Sequence, residues 1–459
     1  MIDLALVAQF VLWLFVVGAF LATRQATIFH PATVYLAFHG LVFVLRPILV
    51  HVFGFEANWE YMWFRPTDEY FVKTLAVSSV ALVCLVAASV WVGWSQISFG
   101  ALRVPEFSPT ERRALLLTTL LLAPLAAYSI FATRNGIAGE RVNGIYIMTN
   151  STGYINEAQH FIMPLLCGWL LVTRFHWLNL FPSLLYVGYR AWFGWSRWTI
   201  LLFLLLIVMA YCWHFRKRWL PLWSVAVAIP VLILFNLLGH NRDLLKSIVT
   251  GEEVRVVDHD PGMTREEKLR KQLDTQDYSK FDYLSYVVSI VPERTEAYSY
   301  GAQYLQLFTE PIPRILWKGK PVGAPVKTIS LGAYGNFVGL TVSLPGDGWI
   351  SGGWIGLVVT LSLVGAVLGW AHRTFWTHTE NRLGCLLYLV GLAMVPQWYR
   401  DGGISISKFL LFTLSPVVLW SLFTWLLGPR LVPGRSLIIP AGSLPGMAPV
   451  PAGPDRFYQ

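Results

Sequence analysis

Arginine side chains recur in this sequence at positions where they could bind a phosphate. The planar guanidinium group donates two parallel hydrogen bonds to phosphate oxygens, and nearby tyrosine and tryptophan rings offer faces on which a sugar can stack. Arg190 and Arg197 flank a short turn, 191–196, so two positive charges lie close together and an anionic partner is expected. Phosphates of lipid headgroups are the simplest alternative partner. The arginines of interest are Arg134, Arg141, Arg190, Arg197, Arg294, Arg314 and Arg400.

Several carboxylates and one imidazole are candidates for accepting a proton from an attacking hydroxyl group. They are Glu157, Glu293, Glu296, Asp347, Asp401 and His240. The sequence contains neither an HExxH metal motif nor a glycine-rich phosphate loop. The four cysteines lie in apolar stretches without paired spacing, which is typical of small core residues rather than of disulfides or zinc ligands. These cysteines are Cys84, Cys167, Cys212 and Cys385.

The composition indicates that these residues belong to a protein embedded in a lipid bilayer. The chain has 459 residues, of which 55% are hydrophobic and 13% charged, and its mean hydropathy is +0.53. A soluble domain carries about 25% charged residues, so this chain has too few to cover a globule. The net charge of +9 does not indicate nucleic-acid binding, because the longest basic run is the short 216–218. Positive cytoplasmic loops explain the charge.

Apolar stretches predict an all-α polytopic membrane protein with about eleven transmembrane helices and one large structured outer loop. Residues 1–238 would hold helices 1 to 8, residues 239–348 the loop with short helices, residues 349–427 helices 9 to 11, and residues 428–459 a disordered inner tail. The first apolar run has no basic segment before it and is expected to be retained. With the basic cluster 216–218 inside, the loop lies outside. The predicted spans are 4–22, 31–53, 73–93, 114–131, 156–173, 175–190, 198–213, 219–238, 349–370, 383–398 and 406–427.

Local patterns predict order within the loop. A capping box at Thr264 and Glu267 predicts a helix over 264–275. A second helix over 293–305 would place Arg294, Tyr298 and Gly301 on one face, with Tyr300 and Tyr304 on a neighbouring face. Residues 311–321 form a rigid basic turn that contains Trp317. The aromatic residues Tyr298, Tyr300, Tyr304 and Trp317 are therefore the candidate sugar-binding side chains.

Arg46 lies inside the second predicted span, where a charge is costly unless it faces a cavity or a partner. Two interpretations stay open at this point. Arg46 takes part in function, or it snorkels or pairs with a carboxylate of the bundle such as Glu157.

The arrangement of spans and loop resembles that of bacterial O-antigen and exopolysaccharide repeat-unit polymerases. Local stretches are similar to recurring patterns of that family, while the general layout covers nearly the whole chain. These stretches are 134–144, 294–301, 313–321 and 347–356.

The resemblance implies a metal-independent glycosyltransferase without a cofactor, located in the bacterial inner membrane with its large loop in the periplasm. It would move a growing glycan from undecaprenyl diphosphate onto a second lipid-linked repeat unit. A chain-length regulator and a flippase are the implied protein partners. Glu293 or Glu296 would be the catalytic base. The diphosphate would be bound by Arg190, Arg197, Arg294 and Arg314, with Arg134 and Arg400 next.

Other functions remain open at this stage. An O-antigen ligase, or another glycosyltransferase that uses a lipid carrier, would need the same diphosphate site. A flippase or transporter of lipid-linked oligosaccharides would predict internal repeats and paired broken helices at mid-membrane, and no repeat is present. A structural or scaffolding membrane protein would leave the Arg- and Tyr-rich loop without a role.

Overall fold

The computed structural model is helical apart from one short hairpin. It describes residues 1–55, 63–95, 97, 106–133, 139–142, 145–148, 155, 157–192, 197–220, 264, 279–309, 312, 316–317, 329, 331–335 and 341–428. Strands β1 (Gly139–Val142) and β2 (Ile145–Met148) pair antiparallel. A π-helical segment, Gly40–Leu45, joins α2 to α3. The α-helices are α1 (Ile2–Ala22), α2 (Pro31–His39), α3 (Arg46–His51), α4 (Asp68–Val92), α5 (Pro109–Thr133), α6 (Ile162–Val172), α7 (Leu180–Trp192), α8 (Arg197–His214), α9 (Lys280–Ile290), α10 (Ala302–Thr309), α11 (Leu344–Thr377), α12 (Arg382–Asp401) and α13 (Gly403–Leu427).

Six helices within the described residues are long and apolar enough to cross a membrane. Large apolar side chains on them face outward: Leu4 is 76% exposed, Phe15 70% and Trp425 75%. Such exposure is expected where lipid rather than water surrounds the protein. The fold is thus that of an α-helical membrane protein. The six are Ile2–Ala22, Pro31–His51, Asp68–Val92, Pro109–Ala132, Leu344–Thr377 and Phe409–Leu427.

The structure does not show the five other predicted spans to be membrane-spanning. Two of them correspond to shorter apolar helices, Ala158–Val172 and Trp198–His214. The predicted sixth span coincides with α7, which has 13 residues and is about 20 Å long, less than a bilayer core of about 30 Å. Helix α12 has 20 residues but carries charged side chains at both ends. The predicted eighth span, 219–238, lies outside the described residues beyond position 220.

Helices α4 and α11 pack closely because glycine lets their backbones approach. A Cβ atom placed on Gly369 would lie 2.5 Å from the carbonyl oxygen of Ser89 and 2.9 Å from the amide nitrogen of Gly93. Gly365 has a similar relation to Leu85, with 2.5 Å to its carbonyl oxygen. Small residues at helix contacts are the usual means of close packing in membranes.

Substituting Gly369 with valine should therefore separate α4 from α11. We expect a loss of about 1–3 kcal/mol in stability, because the clash is with backbone and cannot be relieved by a rotamer change. Gly18→Val is the matched control, since a Cβ at Gly18 meets nothing within 4 Å. Thermal unfolding of both variants in detergent measures the difference. Equal melting temperatures would show that the helix contact is not tight.

The termini of the helices meet at two opposite ends of the bundle. At one end, Arg382 pairs with Glu111 at 3.1 Å, and the Arg218 side chain donates to the carbonyl oxygen of Ala26 at 2.9 Å. We call this the Glu111 end. At the other end, called the Asp401 end, α12 finishes at Asp401, and α4, α8, α11 and α13 begin. The basic cluster 216–218 lies at the Glu111 end, whereas Arg46, Arg190, Arg294 and Arg400 lie at the Asp401 end. Which end faces outward stays a prediction.

Two local predictions for the loop were wrong or incomplete. Residues 291–301 form turns instead of the beginning of a helix over 293–305, and the helix starts only at Ala302. Glu296, Tyr300 and Gly301 have φ values of 53°, 50° and 77°, which no α-helix accommodates. The ninth predicted span, 349–370, actually begins at Leu344 and is interrupted at Gly352 and Gly353. The predicted helix 264–275 lies outside the described residues except for position 264.

Candidate anion-binding site

Arg190 is a buried arginine whose hydrogen-bond partners among the described residues are neutral. Its side chain is 4% exposed at the end of α7. It donates to the side-chain oxygen of Gln159 and, at 3.1 Å, to the hydroxyl of Thr199 at the start of α8. Within the described part of the chain, its buried Nε–H has no acceptor. A buried charge without a counter-ion is costly, so this guanidinium group is the strongest indication of a site for an anion.

A second arginine reaches the same helix start. The guanidinium carbon of Arg400 lies 4.6 Å from the ring centre of Trp198, the residue before Thr199. Its Nε lies 3.7 Å from Oδ1 of Asp401. Arg197 is the first residue of α8. The first turn of α8 thus joins Arg190 and Arg400, and the backbone N–H groups of such a turn favour an anion as well.

Asp401 holds several polar groups of the loop and the bundle together. It accepts a hydrogen bond of 2.6 Å from the Thr341 hydroxyl and another from the Gln397 amide, and it lies 3.8 Å from the ammonium nitrogen of Lys280. Lys280 is 2% exposed, and it also donates to Thr341 at 2.8 Å. The Asp401 carboxylate therefore accepts hydrogen bonds on both oxygens, and these contacts hold the end of α12 in place.

The interruption between helices α12 and α13 at Gly402 brings another carboxylate into this region. Gly402 has φ of 80°, and a Cβ atom there would collide with the Asp347 carboxylate. The amide of Gly403 donates to Asp347 Oδ2 at 2.6 Å. The Tyr304 ring lies 3.4 Å from the position of a Cβ on Gly403. Only glycine can combine this backbone geometry with such close contact.

The loop residues form a neighbouring group around α4 and the start of α11. Glu293 is half exposed and lies 3.7 Å from the ammonium nitrogen of Lys73. Lys73 lies 5.2 Å from the Trp349 ring centre, and Arg294, which is exposed, lies 3.6 Å from that of Phe64. A partly exposed acid beside aromatic faces and cations suits a sugar hydroxyl better than a phosphate.

The tyrosines of this region remain protonated donors at neutral pH. Burial raises the pKa of Tyr298, and the carboxylate of Glu293 raises it further. Burial also raises the pKa of Tyr304, with Asp347 as the second cause. Burial raises the pKa of Tyr286, partly offset by a hydrogen bond from the Trp63 amide. The Tyr298 and Tyr304 hydroxyls can donate hydrogen bonds to ligand oxygens, whereas the Tyr286 hydroxyl already donates to the carbonyl oxygen of Tyr334.

Arg46 has a different partner from the one considered in the sequence. It bonds to Asp282 through two nitrogens, at 2.7 and 3.2 Å, and the two side chains are 1% and 2% exposed. Glu157 instead lies 3.2 Å from the imidazole of His160. Arg46 therefore ties the second span to α9. Its buried charge is compensated, in contrast to that of Arg190.

The structure brings together some of the predicted site residues and separates others. Arg190 contacts Thr199 and Arg400 contacts Trp198, and both of these residues lie in the first turn of α8. Arg294 and Glu293 lie with the loop group, Glu296 and Tyr300 are exposed, and Trp317 is 39% exposed. The positions of Arg134 and Arg314 and of His240 lie outside the described residues, and the side chain of Arg197 is not described either.

Several residues of the site were not anticipated from the sequence. Gln159 and Thr199 are ordinary polar residues near span ends, and nothing in their local sequence links them to Arg190. Lys280 and Asp282 are more informative in retrospect, because they are charges directly attached to an apolar stretch too short to span. Such charges need buried partners wherever the stretch packs in the bundle.

Comparisons with known proteins add no family assignment: no protein-family model, no curated protein and no solved structure matches this chain. Among the described residues, no group of three or more His, Cys, Asp and Glu side chains could hold a metal ion. Inferences about function therefore rest on the chemistry of the site.

Proposed function

We propose that the protein polymerises oligosaccharide repeat units linked to undecaprenyl diphosphate, as a metal-independent glycosyltransferase at the outer face of the inner membrane. The observation that carries the proposal is the buried guanidinium group of Arg190, which has no acidic partner among the described residues and donates to Thr199 in the first turn of α8. Lipid diphosphate supplies the missing negative charge and remains at membrane depth, where free anions are scarce. The substrate class comes from the resemblance of the spans and the large loop to those of bacterial repeat-unit polymerases.

The proposed reaction is a glycosyl transfer between two carrier lipids. The hydroxyl oxygen of the acceptor sugar attacks the anomeric carbon of the donor glycan, and the bond from that carbon to the diphosphate oxygen breaks. The diphosphate leaves with the electron pair, and the hydroxyl proton passes to a carboxylate. Arg190 and Arg400 stabilise the charge that develops on the leaving group, which is usually the largest catalytic contribution. Arg197, the first residue of α8, is proposed to assist them.

Glu293 is the proposed base. It is half exposed, and its Oε1 lies 3.7 Å from the ammonium nitrogen of Lys73, which is a long ion pair. The carboxylate can therefore accept a proton from a sugar hydroxyl. Asp401 is less suitable, because Thr341, Gln397 and Lys280 already surround its oxygens. Glu296 remains the alternative base, and Tyr298, Tyr300, Tyr304 and Trp317 are proposed to contact the sugars.

The glycan profile of a deletion strain tests this proposal. Loss of the protein should leave single repeat units, transferred or carrier-bound, and no long polymer. Long polymer retained on the carrier would instead identify a ligase. Absence of every lipid-linked unit from the outer leaflet would identify a flippase. Re-expression of the wild-type chain should restore the full length distribution, which controls for effects on neighbouring genes.

A further inference from the structure

A small polar cavity lies at the Asp401 end of the bundle. It is enclosed by the start of α1, the end of α3, the start of α4 and helix α9, and its volume is about 200 Å³. Pockets that hold drug-sized ligands measure about 300–1,000 Å³, so this cavity has room for one ring-sized ligand. Charged and polar side chains line it together with apolar ones, and the combination restricts the kind of ligand that fits.

The deep part of the cavity contains a serine hydroxyl group without a partner. Ser285 on α9 is 1% exposed, and its Oγ makes no hydrogen bond within the described part of the chain. Asp282, one turn earlier on α9, also lines the cavity, and Arg46 balances its charge. Leaving a buried hydroxyl group unpaired is costly, so the deep part favours a ligand that forms hydrogen bonds there.

The entrance carries charges of both signs. Arg65 and Asp68 line the cavity where the chain enters α4, and both side chains are exposed. A phosphate in the cavity would face the two carboxylates of Asp68 and Asp282, whereas a metal cation would face the guanidinium group of Arg65. A guanidinium group only donates hydrogen bonds, an ionised carboxylate only accepts them, and a hydroxyl group does both. The lining therefore suits a neutral ligand that carries several hydroxyl groups.

An apolar wall stands beside these polar groups. Phe71 of α4 and Phe281 of α9 both line the cavity, and their ring centres lie 5.1 Å apart in an edge-on arrangement. A sugar ring has apolar C–H faces and a rim of hydroxyl groups. It can therefore place a face against the aromatic wall while its hydroxyl groups reach Ser285 and the charged side chains. A flexible polar headgroup would leave the wall without a partner.

We propose that this cavity binds one neutral sugar of the lipid-linked glycan, separate from the sugar that reacts. The inference rests on the proposed function. Phe71 lines the cavity, whereas Lys73, two residues later in α4, pairs with Glu293. Residues two apart point to different sides of a helix, so the cavity and the proposed base lie on different sides of α4. The cavity thus selects the repeat unit and contributes binding energy without taking part in the chemical step.

Two pairs of substitutions separate the cavity from the fold around it. Ser285→Ala removes the unpartnered hydroxyl group, and Ser289→Ala is its matched control. Ser289 lies one turn later on α9 and is 3% exposed, but its hydroxyl donates to the carbonyl oxygen of Tyr286 in the same helix. At the entrance, Asp68→Asn removes a charge with little change of shape. Its control is Glu69→Gln, the adjacent exposed acid, which is not among the described residues that line the cavity.

The experiment is a nuclear magnetic resonance titration of purified full-length protein. The probe is the repeat-unit oligosaccharide, released from the surface polysaccharide of the producing strain and carrying no lipid. Ser285→Ala and Asp68→Asn should each weaken its binding about three- to tenfold, because each variant loses a hydrogen bond to the sugar. Ser289→Ala and Glu69→Gln should bind it as the wild type does. Glycerol 3-phosphate, which represents a lipid headgroup, should not displace it.

Three results would overturn the sugar site. They are undiminished binding in both cavity variants, displacement by glycerol 3-phosphate, and no binding of the oligosaccharide by the wild type. The proposed function is decided separately by the glycan profile of the deletion strain, which reports polymer formation and not this cavity. Binding that depends on Ser285 and Asp68, together with full-length polymer in the deletion strain, would keep the sugar site and overturn the polymerase function.

Discussion

Arg190→Met should reduce chain extension by about 10²–10³-fold while leaving the protein as stable as the wild type, or more so. The activity loss follows from removing a group that stabilises the leaving diphosphate. The stability result follows from removing a buried charge whose partners, in the part of the chain that the structure describes, are the neutral side chains of Gln159 and Thr199. Replacing an uncompensated buried charge with an apolar side chain of similar length relieves a desolvation cost. A purely structural arginine would behave in the opposite way.

The assay is polymer formation from lipid-linked repeat units, together with a melting curve in detergent. Arg382→Met is the matched control, because Arg382 is a half-buried arginine at the Glu111 end, where it pairs with Glu111. This control should keep polymer formation close to wild type. Full activity of Arg190→Met, or its loss only in parallel with unfolding, would contradict the assignment of Arg190.

Asp282→Ala should give the largest loss of stability among single substitutions in the described chain. It removes the carboxylate that binds the buried guanidinium group of Arg46 through two hydrogen bonds, and breaking a buried ion pair from one side costs about 3–5 kcal/mol. The expected consequence is a strongly lowered melting temperature and poor yield. Arg46→Met should be similarly harmful, since it strands the Asp282 carboxylate.

The double variant Arg46→Met, Asp282→Leu distinguishes the pair from the fold around it. Removing both charges should restore most of the lost stability, because neither residue is then left unpaired. Asp3→Ala is the control for a carboxylate at a surface position: Asp3 is 83% exposed and pairs with His51. It should change stability little. Additive losses in the double variant would show that the two side chains are not coupled.

Six of the eleven predicted spans coincide with helices that are long and apolar enough to cross a membrane, whereas the packing partners were not predictable from the sequence. Apolar stretches of about twenty residues identify spans because lipid imposes a length on them. The stretch that became α7 failed this criterion, as its 13 residues show. The face pattern of residues 293–305 predicts a helix, but residues 291–301 form turns. Glu296, Tyr300 and Gly301 have positive φ angles, which the pattern of side-chain types does not reveal for Glu and Tyr.

For the arginines, the sequence predicted the end of the bundle at which they lie but not their partners. The position of Arg190, Arg294 and Arg400 at one end of the bundle agrees with the predicted alternation of spans, which returns the chain to the same side. Which of them carries a compensated charge did not follow from sequence. Arg46 finds Asp282 at a separation of 236 residues, and Arg190 finds no carboxylate among the described residues. Such long-range pairing depends on how the helices pack, and the local sequence around each arginine does not show which helix it will face.

The central claim is that the buried Arg190 binds a lipid diphosphate. The most direct test compares the affinity of purified protein for undecaprenyl diphosphate and for the uncharged alcohol undecaprenol. Wild type should prefer the diphosphate by about tenfold or more, corresponding to about 1.4 kcal/mol or more, and Arg190→Met should lose that preference while still binding the alcohol. Equal affinity of wild type for the two lipids, or an undiminished preference in Arg190→Met, would contradict the claim.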